Sequence, residues 1–99
     1  MEDAPSSGAT AKVSIAYCAE CGYEPQVLEL ANVLMRTFGH QLSSIEILPW
    51  FDGSFDVSVE GDLVHSMYRE GGFPEPPTVV AAVRERLARA PSGRPAPGS

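Results

Sequence analysis

The chain carries two cysteines, Cys18 and Cys21, separated by Ala19 and Glu20. That spacing lets both sulfurs share one disulfide, the arrangement used for thiol–disulfide exchange. One thiolate attacks an external disulfide, and the second thiol resolves the mixed disulfide that results. Only the thiolate is nucleophilic, so the fold must draw one cysteine below its ordinary pKa of about 8.5. A helix N-terminus can do this with its unpaired N–H groups and the positive end of its macrodipole. By that argument Cys18 attacks and Cys21 resolves. Glu20 sets a negative charge between the sulfurs and opposes thiolate formation.

Two other readings of the pair stay open. A CxxC is half a zinc site, and structural zinc takes four ligands. The remaining soft donors, His40 and His65, lie far apart in sequence and fall on different expected elements. The pair could also be purely structural, although cysteines three apart can staple almost nothing.

The elements around the pair follow from hydropathy. Residues 11–17 alternate, with Val13, Ile15 and Tyr17 on one side, and read as a first, central strand. After the turn Cys18-Ala19-Glu20-Cys21-Gly22, an apolar helical stripe runs through Val27, Leu28, Ala31, Leu34, Met35 and Phe38. Pro25 suits its first turn and Gly39 its end. Leu42 to Leu48 is a second strand, stopped by Pro49-Trp50-Phe51-Asp52-Gly53. Phe55, Val57 and Val59 form a third strand, turning at Glu60-Gly61-Asp62 into a fourth over Leu63 to Met67. Tyr68 to Pro77 reads as a loop, and Val79, Val80, Val83 and Leu87 mark a last helix ending near Ala90.

The order β-α-β-β-β-α predicts an α/β, two-layer, reduced thioredoxin-like fold: a small mixed sheet with both helices on one side. The folded domain is expected over residues 11–90. Disordered tails are expected over 1–10 and the Pro/Gly/Ser-rich 91–99. Phe55, Val57, Val59, Leu63 and the helix stripes are expected in the core, and His65 as a half-exposed strand residue. Trp50 and Phe51 cap the core or mark a surface patch. Asp52, Asp56 and Asp62 fall on turns and exposed strand faces, with no paired-carboxylate spacing.

Seven basic against thirteen acidic side chains give a net charge of −6, which argues against a nucleic-acid partner. No run approaches the roughly twenty apolar residues of a membrane span. The acidic N-terminus lacks the pattern of a signal peptide, so a cytoplasmic location is expected. No feature sets an oligomeric state.

Two separated motifs carry a family resemblance. The first is Tyr17-Cys18-x-x-Cys21-Gly22-Tyr23, followed by Leu28, Leu30 and a helix ending in Phe38. The second is Gly53-x-Phe55-Asp56-Val57-x-Val59-x-Gly61-x-Leu63-Val64-His65-Ser66, closing on Gly71-Gly72-Phe73-Pro74-Glu75. Over residues 12–90 the chain resembles the selenoprotein W-like (Rdx; SelT/SelW/SelH) family, as a cysteine-containing homologue of its bacterial branch. The resemblance implies a thioredoxin-like fold and a thiol-disulfide oxidoreductase role linked to glutathione and oxidant defence. Selenium, in the members that contain it, occupies the second motif position, which is Cys21 here. That implication favours Cys21 over Cys18 as the reactive sulfur. The cis-proline that faces the CxxC of thioredoxins has no clear match; Pro49 is the nearest candidate.

Two functions follow as expectations. One is an oxidoreductase or redox relay using Cys18 and Cys21, with no bound cofactor, acting on client-protein thiols or disulfides, with glutathione as reductant or mixed-disulfide partner. The other is a redox-sensitive protein-binding module, motivated by Trp50-Phe51 and the Gly71-Gly72-Phe73-Pro74 segment near the CxxC loop.

Overall fold

A computed structural model describes residues 9–89. Both expected tails therefore lie almost wholly outside the described residues. Strands β1 (Ala11–Cys18), β2 (Leu42–Trp50), β3 (Phe55–Val59) and β4 (Asp62–Ser66) form one sheet in the order β2-β1-β3-β4. Helix α1 (Glu24–Phe38) joins β1 to the parallel β2, the long crossover that parallel pairing requires. β3 runs antiparallel to both β1 and β4. A four-residue helix, α2 (Met67–Glu70), and a longer one, α3 (Pro76–Arg89), follow the sheet among the described residues. This is the expected mixed α/β architecture, with α2 added where a loop was expected.

Helix α1 starts with Pro25 in its first turn and stops at Gly39, whose φ of 54° other residues adopt only with strain. Its buried stripe is Val27, Leu30, Ala31, Leu34 and Phe38, meeting Val13, Ile15, Val57 and Val59 of the sheet and Val79 and Val83 of α3. Leu28 and Met35, expected in that stripe, are exposed, and Leu30 lies inside instead. The helix is rotated from the expected setting because Leu30 and Ala31 flank its contact line. Both long helices pack on one sheet face. Leu48 points to the other and is exposed.

The β3–β4 hairpin departs from the expected register. Its two-residue turn, Glu60-Gly61, holds both residues at positive φ, 52° and 83°, which matches the twist of the flanking strands. A bulge between Val57 and Ser58 then shifts the pairing to Val57↔His65 and Ser58↔Leu63. Because side chains alternate, that shift turns Leu63 out, 46% exposed, and His65 in, 7% exposed. Leu63 is thus not core and His65 is not half-exposed. β4 also ends one residue early, at Ser66. Among the described residues no helix is long and apolar enough to cross a membrane.

Candidate redox site

Cys18 ends the central strand β1, and Cys21 lies three residues on in an exposed turn before α1. The two are joined by a disulfide with their Cα atoms 5.4 Å apart. Three backbone hydrogen bonds hold the turn. The Cys18 N–H donates to the Ser54 carbonyl (2.8 Å), Ala19 N–H to that of Trp50 (3.1 Å), and Cys21 N–H to that of Cys18 (3.3 Å). Gly22 follows at φ 75°, the left-handed region that lets the chain reverse into the helix.

Burial separates the two cysteines. Cys18 is 1% exposed, whereas Cys21, like Ala19 and Glu20, is exposed. The electrostatics also differ from the expectation. α1 is capped by Tyr23 and begins at Glu24, so both cysteines precede its first turn, Cys18 by the larger margin. A macrodipole acts within the first turn. The helix-end argument for Cys18 as attacker therefore loses its footing, because Cys18 belongs to the strand.

Two loops meet the disulfide turn. On the helix side, Phe73 stands edge-on to Tyr23 and Phe55, with ring centroids 4.8 and 5.1 Å apart. The Gly71–Pro74 segment thus reaches the residue next to the CxxGly turn. It is held by His65, whose Nε2–H donates to the Gly72 carbonyl at 2.7 Å; a carbonyl only accepts, so Nε2 carries the proton. Gly71, at φ 80°, closes α2 through its N–H to the Met67 carbonyl. The second loop, 51–54, carries Trp50 and Phe51 at its entry, each 57% exposed and so a surface patch beside the disulfide. The Tyr68 hydroxyl donates to the Asp52 carbonyl and ties α2 to it (3.2 Å). On α2, the Arg69 side chain hydrogen-bonds Glu70 and holds its carboxyl below the usual range.

His40 is exposed beyond α1 and His65 is buried in β4, so neither joins the cysteines. Among the described residues no three His, Cys, Asp or Glu side chains are grouped to hold a metal ion. No described peptide bond is cis, Pro49 included. His65, which holds the Gly71–Pro74 segment, and Ser54, whose carbonyl accepts from Cys18, are supporting residues that sequence reasoning did not select, and Asp56 lies on β3 between Ala16 and Ser66. The bulge hid the first, and the second acts through a loop carbonyl.

This fold and turn define a thioredoxin-like domain with a disulfide at the end of its central strand. The Rdx family model matches residues 12–85, and the chain belongs to that family. It is 35% identical over 83 residues to selenoprotein W of Ovis aries, covering 79% of this chain and 95% of that protein. It is 34% identical over 86 residues to migration and invasion enhancer 1 of Bos taurus, covering 85% and 68% respectively. A crystal structure of a selenoprotein W-related protein from Vibrio cholerae superposes with a TM-score of 0.76 at 27% identity, covering 79% of this chain and 98% of that one.

Proposed function

We propose that the chain is a thiol–disulfide oxidoreductase or redox relay whose working pair is Cys18 and Cys21. The observation that carries this reading is the unequal exposure across the disulfide, with Cys18 at 1% and Cys21 open to solvent. An external thiolate can reach only the Cys21 sulfur, and its attack releases Cys18 as the leaving thiolate. In the reverse direction Cys21 attacks a client disulfide and Cys18 closes the ring. Family membership supports the assignment. Selenoprotein W is by name a selenium protein, and the motif resemblance implies that Cys21 stands at the selenium position, where sulfur supplies the weaker nucleophile.

The expected reaction partners are client-protein thiols and glutathione, with no bound cofactor and no nucleic acid, in the reducing cytoplasm. The test is equilibration in defined ratios of reduced to oxidised glutathione, with the dithiol fraction read by thiol trapping. A reversible transition within the cellular range of poise is expected. A pair that never oxidises, or that glutathione cannot reduce, would end this reading.

One observation favours a second reading, a redox-sensitive binding module. Leu48, Trp50 and Phe51 present apolar surface next to the disulfide. A partner set that changes between reduced and oxidised protein supports it. Identical sets count against it.

A further inference from the structure

Alternation along the strands places two carboxylates, Glu46 and Asp56, on the buried cysteine's side of the sheet, and Glu46, opposite Ser14, is taken up by Ser14 and Lys12 away from Cys18. Tyr17 packs against the core opposite Phe55, so Cys18 projects from the other face of β1. On β3, Phe55, Val57 and Val59 point into the core, and Asp56 therefore shares the face of Cys18. Asp56 pairs with Ala16 on one side and Ser66 on the other. The Cys18 N–H bond to Ser54 sets Cys18 two residues from Asp56 across the ladder. That is the diagonal relation, in which backbones lie about 7–8 Å apart and side chains closer.

On this face Asp56 is half-buried, and Trp50, which pairs with Cys18 from β2, is exposed. Ser54 and Ser66 are both buried. Asp56 Oδ1 is shut off from solvent and accepts no hydrogen bond among the described residues. A buried acceptor left without a donor costs stability, and a strand position like this one accepts Ser or Thr without that cost. The acceptor has no donor among the described residues, and its diagonal neighbour Cys18, disulfide-bonded in this structure, becomes on reduction a thiol whose proton must leave during exchange.

We propose that Asp56 is the proton acceptor for Cys18 in the closing step, a role that rests on the exchange reading above. At that stage a mixed disulfide joins Cys21 Sγ to a client sulfur. The Asp56 carboxylate takes the Cys18 Sγ proton, and the thiolate attacks Cys21 Sγ. The Cys18–Cys21 bond forms, the Cys21–client bond breaks, and its electron pair leaves on the client sulfur. The client disulfide is thereby reduced by two electrons, the protein dithiol is oxidised by the same two, and Asp56 releases its proton to water. Cys18 needs an internal acceptor because it is closed to solvent.

Reaction of reduced protein with dithiobis(nitrobenzoate) separates the steps. A second-order release of thionitrobenzoate reports attack by Cys21, and a first-order release reports closure by Cys18. In Asp56→Asn the first phase should keep its rate. The second should slow about tenfold or more near pH 6–7, with the gap closing at high pH as hydroxide takes over as base. Asp56→Glu should restore the second phase. The sign is diagnostic, because removing a negative charge by itself favours the thiolate and would speed closure. Asp56→Ser gives the same comparison should the Asn variant fail to fold. Closure in the Asn or Ser variant as fast as in the parent, or faster, overturns the role of Asp56. A parent protein with no second phase overturns the exchange reading instead.

Discussion

Replacing Phe73 tests whether the Gly71–Pro74 segment is built into the redox turn or merely lies near it. The ring meets Tyr23 at 4.8 Å and Phe55 at 5.1 Å, both edge-on. Such pairs contribute about 0.5–1.5 kcal/mol each beyond burial, so Phe73→Leu, which keeps most apolar area, should cost about 1–3 kcal/mol. Phe73→Ala also removes the buried part of the ring. Because Phe73 is 38% exposed, its cost falls near the lower end of core truncations, about 3 kcal/mol. In a domain of this size, each kcal/mol lowers Tm by about 4–8 °C. The assay is urea unfolding of the oxidised protein, extended to a double-mutant cycle of Phe73→Leu with Tyr23→Leu. A coupling energy of about 0.5–1.5 kcal/mol is expected. A coupling near zero, with Phe73→Ala at parental stability, would refute the claim that this loop braces the residue following the disulfide turn.

Other outcomes follow from burial and backbone geometry. Leu34, fully buried, should lose about 2–5 kcal/mol on truncation to Ala, whereas exposed Leu28 should change by under about 0.5 kcal/mol, both read from urea midpoints. Gly22→Ala places a Cβ in open space, so its cost is left-handed strain alone, about 1–2 kcal/mol in the same assay. Glu70, held low by Arg69, favours folding above the ordinary carboxyl pKa and loses that contribution as pH falls through its depressed folded value. Arg69→Gln should return the Glu70 midpoint to the ordinary range in an NMR titration.

Much of the fold was legible because periodicity changes sharply at the right places. The alternation of Val13, Ile15 and Tyr17 gives way to the helical spacing of Val27, Ala31, Leu34 and Phe38, and the Cys18–Gly22 turn falls between them. Strand pairing was less legible. Leu63-Val64-His65 alternates in sequence as an ordinary strand, and only the bulge opposite Val57 and Ser58 decides which residue turns inward. Leu28 and Met35 satisfy a helical stripe as well as Leu30 does, and the choice between them is made by how α1 seats on β1 and α3. At the site, the cysteines were visible from their spacing. Their unequal burial was not, since it depends on Cys18 being the last residue of a central strand. Asp56 reads as an exposed strand acid in sequence, and its half-burial depends on Ala16 and Ser66 lying on either side of it in the sheet, which one strand alone does not show.

The most direct test concerns which sulfur an incoming disulfide meets. Cys18→Ser and Cys21→Ser proteins, reduced and then exposed briefly to oxidised glutathione, can be quenched in acid and digested with trypsin. Both positions lie in one peptide, residues 13–36, so fragment masses locate the adduct. The exposed cysteine left in Cys18→Ser should form its mixed disulfide at least about tenfold faster than the buried one left in Cys21→Ser. The parent protein, treated alike, should finish as the Cys18–Cys21 disulfide with glutathione released. Faster reaction in Cys21→Ser, or a parent protein that keeps glutathione attached and never closes its ring, would contradict Cys21 as the point of entry to this redox pair.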